Sequence, residues 1–246
     1  MQQPPGPKGP QILYTRPANE WINRVGQKHA ELEKLALSEK ARDSLRRLSE
    51  SEFVYSTARL AGLLGDESSE AESRIAETLA ALRIVEALAQ SEGVRAALTP
   101  ELLMRLNNPL GINESKFRMN AIAATGPFKP APAEHIHVLI ESVCRWLTAE
   151  SFAELNPPEQ ASITHLRLLE IHPFERANLE TALVAASLFT MRNRMPPIII
   201  KQEDSSLYLA AVEEGARMNT RPMVELMARA MEKSLSEMIM AIKTKS

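Results

Sequence analysis

Apolar residues recur three and four positions apart over most of the chain, which is the period of helices that each bury one face. Residues 19–37 and 39–63 carry this pattern, the second through Leu45, Leu48, Phe53, Ala58, Leu60, Ala61 and Leu64. A third helix is expected over 69–91, with Ile75, Leu79, Leu82, Val85, Ala87 and Leu88 on its face, after a turn at 65–69. Asn19-Glu20-Trp21-Ile22 reads as an N-cap entering the first helix. Thr99-Pro100-Glu101 supplies a cap, an N1 proline and an acidic first turn ahead of Leu102-Leu103. Further helices are expected over 132–148, 158–171, 176–193, 204–216 and 220–243, with Pro196-Pro197 breaking the chain before Ile198-Ile199-Ile200. The period fails over 107–133, where Asn107-Asn108-Pro109, Gly111, Gly126-Pro127, Pro130 and Pro132 fall. That stretch reads as a long loop or a β-hairpin, with 116–125 extended, and an irregular segment of that length in a helical protein points to function. The class is all-α with a small β-hairpin, and no internal repeat is visible.

Composition narrows this picture. The chain has 246 residues, of which 44% are hydrophobic but only 4% aromatic, so the core is aliphatic. The net charge of −2 offers no basic field for nucleic acid or an anionic membrane. Residues 1–17, rich in Pro, Gly and Gln, read as a disordered tail with no signal-peptide core. No apolar run approaches the ~20 residues of a membrane span, so a cytoplasmic location is expected. Cys144 is the one cysteine, which excludes an internal disulfide and a cysteine zinc site. It lies on an apolar face with Val143 and Leu147 and reads as a buried filler. Met223, Met227 and Met231 form a stripe that reads as core packing or, alternatively, as a homodimer face. The organisation expected is a tail (1–17), N-terminal helices (18–98) and a core with C-terminal helices (99–246).

The candidate chemistry lies in Leu169-Glu170-Ile171-His172-Pro173-Phe174-Glu175-Arg176-Ala177-Asn178-Leu179-Glu180, between two helical segments. Around it stand Phe128-Lys129-Pro130, Cys144-Arg145-Trp146, Ser162-Ile163-Thr164-His165, Met195-Pro196-Pro197 and Leu207-Tyr208-Leu209. In this order the chain resembles the Fic domain family, whose motif is His-Pro-Phe-x-(Asp/Glu)-Gly-Asn-Gly-Arg-x-x-Arg. The resemblance covers roughly residues 45–232. It implies a Fic-fold helical bundle with a hairpin flap, and transfer of AMP from ATP with Mg to a hydroxyl of a target protein docked along the flap. Phe117, Met119, Ala121 and Phe128 are the flap residues so implied, and His172 is the general base.

This sequence departs from the family motif at five positions. His172, Pro173, Phe174 and Asn178 keep the family's types. Arg176 stands where the family has an acidic magnesium ligand, Ala177 and Leu179 where it has glycines, and Glu180 and Leu183 where it has arginines. The family's helix N-terminus is an anion hole, and its glycines let the backbone approach the phosphates. Ala177 is tolerable there with a negative φ. Leu179 adds bulk that must turn into the core. Glu180 swings the local charge by two units, and each unit pair at ~4 Å is worth roughly 4 kcal/mol at an effective dielectric near 20. Glu180 and Asn178 are expected to fill the place of the missing phosphate, while Arg176 could bind phosphate in a metal's stead. Thr57-Ala58-Arg59-Leu60-Ala61-Gly62 resembles the family's inhibitory helix, Ser/Thr-x-x-x-Glu-Gly. Ala61 stands at its glutamate position and Leu183 at the partner arginine, so an apolar contact is expected in place of an ion pair. His165 reads as a hydrogen-bonded packing residue. His135 and His137, two apart on a helix start, point to different faces and make a poor metal pair.

Two readings follow. One is a Fic-fold protein that no longer transfers nucleotides and serves as a binding or regulatory module. The other is an active transferase with an altered donor or without metal, using His172 and Arg176. ATP and Mg belong only to an active protein.

Overall fold

The computed structural model describes residues 16–35, 37–63, 71–110, 116–124 and 126–244. Ten α-helices form among them. They are α1 (Arg16–Glu33), α2 (Glu39–Leu63), α3 (Ala71–Glu92), α4 (Pro100–Asn107), α5 (Ile136–Trp146), α6 (Glu150–Ala153), α7 (Pro157–Ile171), α8 (Asn178–Met191), α9 (Ser205–Ala216) and α10 (Arg221–Lys243). The helical periods of the sequence are thus realised. The first helix starts earlier than expected, at Arg16 instead of Asn19, because Pro17 falls in the first turn, where a missing N–H costs nothing. Most of the proline-rich tail and the 65–69 turn lie outside the described residues.

Helix starts follow their local chemistry. The Thr99 hydroxyl accepts the Leu102 N–H at 3.1 Å, with Pro100 at N1, as the sequence predicts for α4. In α7, Asn156 and Glu159 form a capping box ahead of Pro157 and Pro158.

The expected β-hairpin is absent: among the described residues of 116–132 no strand forms. Two isolated backbone bonds tie this segment to the motif turn instead. Arg118 N–H donates to Pro173 C=O at 2.9 Å and Ala131 N–H donates to Ile171 C=O at 3.3 Å. Those partners belong to the end of α7 and the turn after it, not to an extended edge, so they offer no ladder to extend.

Helix α8 is the axis of the bundle. Every residue from Leu179 to Thr190 is buried, and the helix packs on α7, α3, α4 and α2. A mostly apolar helix buried on every face needs neighbours on all sides. Its small residues Ala182, Ala185, Ala186 and Ser187 allow them to approach closely. Its exit is fixed by side chains: the Thr190 hydroxyl donates to Pro196 C=O at 2.7 Å and the Ser187 hydroxyl accepts the Ile198 N–H at 3.1 Å. Ile198–Ile200 then cross the core in buried, extended form. Where α9 meets α7, a Cβ at Gly215 would lie 2.5 Å from Leu166 Cδ2, so glycine lets this leucine seat against α9 without shifting. Met223, Met227 and Met231 are fully buried, so the methionine stripe packs into the protein's own core. One apolar cluster runs from Val25 to Leu235, joining the N-terminal helices to the rest. Among the described residues no helix is long and apolar enough to cross a membrane.

Candidate active site

The motif occupies the link between α7 and α8, and its shape is held by hydrogen bonds directed at the backbone. His172 ends α7 in the left-handed region (φ 47°), its N–H donating to Leu168 C=O at 3.0 Å, and Pro173 prevents the helix from continuing. The Asn178 side chain brackets Phe174, accepting its N–H at 2.9 Å and donating to its C=O at 2.8 Å. The Asn107 amide, from the end of α4, donates to Arg176 C=O at 3.1 Å and to the Thr181 hydroxyl at 3.0 Å. Phe174 is buried against Phe117, ring centroids 5.5 Å apart.

Arg118 is the residue that sequence reasoning missed. Its buried guanidinium donates to His172 C=O at 2.7 Å, Asn120 C=O at 2.8 Å and Ala131 C=O at 2.5 Å. One planar fork of donors thus joins both arms of the 116–132 segment to the histidine turn. The only signal in the sequence was a cation flanked by Phe117 and Met119 in an irregular stretch. Burial lowers the Arg118 pKa from its usual value.

A cavity of about 230 Å³ opens at this turn, lined by His172, Arg176, Ala177, Asn178 and Leu179, with Ala61 from α2, Val212 from α9 and Phe128 from the flap. Glu175 and Arg176 are exposed at its rim and His172 is buried in its wall. Burial pushes the His172 imidazolium below its ordinary pKa, and the nearby Arg118 charge adds to this. The imidazole is therefore neutral near pH 7. Met119 and Ala121, two of the four expected flap residues, are exposed, whereas Phe117 and Phe128 are anchored inward.

The helix end beside the turn departs from expectation. Ala177 has φ 56°, in the left-handed region, not the negative φ that would have made alanine easy there. Leu179 is buried and forms part of the cavity wall. Glu180 does not fill a phosphate's place: it is absent from the cavity lining and turns to α3, where its carboxylate lies 3.0 Å from the Arg74 guanidinium. The side chains of this pair are 12% (Arg74) and 1% (Glu180) exposed. Asn178 likewise spends its amide on Phe174 instead of filling the cavity. Ala61 lines the cavity and Leu183 is buried on α8, with α2 and α8 packed together. Thr57 is buried one turn earlier on α2, and Gly62 is exposed.

The other histidines take structural positions. His165 is fully buried and meets the Tyr208 hydroxyl at 3.0 Å, as a packing residue would. Burial pushes its pKa down to about 3. His137 lies 3.3 Å from Glu141 and meets the Phe117 ring nearly at right angles, centroids 6.0 Å apart. Burial pushes the Cys144 thiol up to about 12, leaving it unreactive.

Residues 97–190, which hold the turn, the flap and α8, match the Fic/DOC family. This match assigns a Fic/DOC domain to that stretch. The chain is 33% identical over 121 residues to protein adenylyltransferase fic-1 of Caenorhabditis elegans, covering 49% of this chain and 24% of that protein. It is 31% identical over 124 residues to protein adenylyltransferase Fic of Drosophila melanogaster, covering 50% of this chain and 25% of that protein. The match therefore spans about a quarter of the length of these relatives. Among solved structures, residues 134–508 of C. elegans Fic-1 superpose with a TM-score of 0.80 at 23% identity, covering 93% of this chain and 74% of that one. A Fic-domain signalling protein of Bacteroides thetaiotaomicron gives 0.75 at 21%, covering 94% of this chain and 98% of that one. IbpAFic2, solved covalently tethered to Cdc42, gives 0.53 at 15%, covering 91% of this chain and 72% of that one. These structural likenesses establish the Fic fold for nearly the whole described chain.

Proposed function

We propose that this Fic-fold protein does not transfer AMP and acts as a binding or regulatory module that engages a protein target along its flap. The observation that carries this reading is the buried Arg74–Glu180 pair. At the family's arginine position stands a carboxylate, and α3 supplies its counter-charge. The helix end is therefore electrostatically complete without a phosphate. Separating a buried pair costs about 3–5 kcal/mol, because one charge is left uncompensated. The residues present do not fit ATP with magnesium: Arg176 repels the metal, Leu179 adds bulk at the cradle, and Glu180, paired with Arg74, offers the phosphates no cation. The exposed Met119 and Ala121, on a segment anchored at both ends by Arg118, support the flap as the docking edge.

A second reading rests on His172 and Arg176 lining one cavity. It keeps a transferase of altered donor and without metal, in which the neutral His172 accepts a proton from the target hydroxyl. Calorimetry with ATP, with and without magnesium, together with label transfer from ATP in lysate, separates the two. The inactive reading expects neither binding nor label. Label that disappears in His172→Ala overturns it. A restored motif must include Arg74→Gln alongside Glu180→Arg, since the new arginine would otherwise face Arg74 in the core.

A further inference from the structure

Helix α8 is about 20 Å long at 1.5 Å per residue, and a second cavity, of about 270 Å³, lies at its other end. We infer that this cavity is a binding site for a small amphiphile with an acidic head group, independent of the site at His172.

Its walls come from five elements: Leu32 of α1, Leu45 of α2, Leu82 of α3, Met191 of α8 and Met238 of α10, with Met195 in the turn after α8. Three of these six are methionines, whose flexible thioethers adapt to an apolar ligand. A largely apolar pocket with a few placed charges is the usual form of a small-molecule site. The charges here are sorted by depth. Glu50 and Glu86, at the base, are nearly buried and already neutralised. Arg46 Nη1 lies 3.1 Å from Glu50 and 3.7 Å from Glu86, and Arg83 lies 3.4 Å from Glu50. Burial further raises the Glu86 pKa. The base therefore offers no net charge to a ligand.

The mouth is different. Arg42 is exposed and forms no ion pair with any described residue. Arg194, also exposed, has Glu33 at 3.8 Å, itself half exposed, a contact worth little in water. Asp43, the other acid nearby, is engaged by Arg46 at 3.3 Å. Two exposed guanidinium groups thus line one largely apolar chamber, a combination that suits a carboxylate or phosphate head with an aliphatic tail. A cationic or neutral tail of the same length would gain the burial and lose the head-group contact.

Carbon-13 methyl-labelled methionine in the full chain, titrated with decanoate, tests this. The Met191, Met195 and Met238 methyl resonances should shift together while Met119 and Met223 stay fixed. Decyltrimethylammonium should bind at least tenfold more weakly than decanoate. The exposed double substitution Arg42→Glu with Arg194→Glu should weaken decanoate by tenfold or more, with the buried methyl resonances showing that the fold is kept. Absence of the three shifts, equal binding of the cation, or an unchanged affinity in the double variant each overturns the assignment, as does a response to an acidic peptide but not to decanoate.

Discussion

The turn that carries His172 and the helix end that follows it touch the same cavity but are held in opposite ways. The turn is fixed by side chains that bond to backbone: Arg118 to three carbonyls, Asn178 to both polar groups of Phe174, Asn107 to Arg176 C=O. Such bonds depend little on what the neighbouring side chains are. The helix end is fixed by side-chain identity, through the Arg74–Glu180 ion pair and the buried Leu179. A loop can therefore keep its course while the charges beside it are reversed. The difference teaches that the course of a turn around a histidine says little about the charges beside it.

Reversing one member of the ion pair gives the largest expected effect. Glu180→Arg places two guanidinium groups together in the core and should cost about 3–5 kcal/mol. Arg74→Glu in the same chain should recover most of it, and chemical denaturation of the four proteins of this cycle reads the coupling. If the double variant is no more stable than Glu180→Arg alone, the helix end does not depend on this pair. Next comes Arg118→Ala, which strands three carbonyls and should cost about 3 kcal/mol, with Arg118→Lys recovering only part because it lacks the planar fork. Hydrogen exchange should show the 116–132 segment opening before α8; simultaneous opening would contradict a local clamp.

The third effect depends on pH. Folded His165 has a pKa of about 3 against 6.5 for the free side chain, and His172 is shifted in the same direction. Well above pH 6.5 both states are neutral and neither histidine contributes a pH dependence. As pH falls below 6.5 the unfolded chain takes up protons that the folded chain refuses, so stability is lost, by up to roughly 1.4 kcal/mol per pH unit for His165, with His172 acting in the same direction. Thermal unfolding from about pH 7 to about pH 4 should show this fall, and His165→Gln should remove one proton's share of the slope. The smallest effect is a gain. Ala177→Gly relieves a left-handed alanine and should stabilise the fold by about 1 kcal/mol, read as a rise in Tm. A loss would mean that the alanine methyl contributes more by packing than its backbone costs.

Much of this was legible in the chain. Helical periods located the bundle, and cap chemistry at Thr99 located the start of α4. The order of motifs from Phe128 to Tyr208 pointed to the Fic fold, and the residue types at Arg176, Ala177, Leu179, Glu180 and Leu183 were plain to read. What those positions do was less legible. The expected hairpin gave way to two single backbone bonds, the expected negative φ at Ala177 is positive, and Glu180 turned away from the cavity toward α3.

By itself, the sequence determined the periodic burial pattern, the breaks and the residue types that flank His172, because these depend on residue type and near neighbours. Only the tertiary structure decided which charge meets which. Arg74 and Glu180 come from helices far apart in the chain, and Arg118 reaches carbonyls on both sides of a turn. Ion pairs and hydrogen bonds act over a few ångströms in space, and local sequence carries no record of which distant side chain the packing will bring that close.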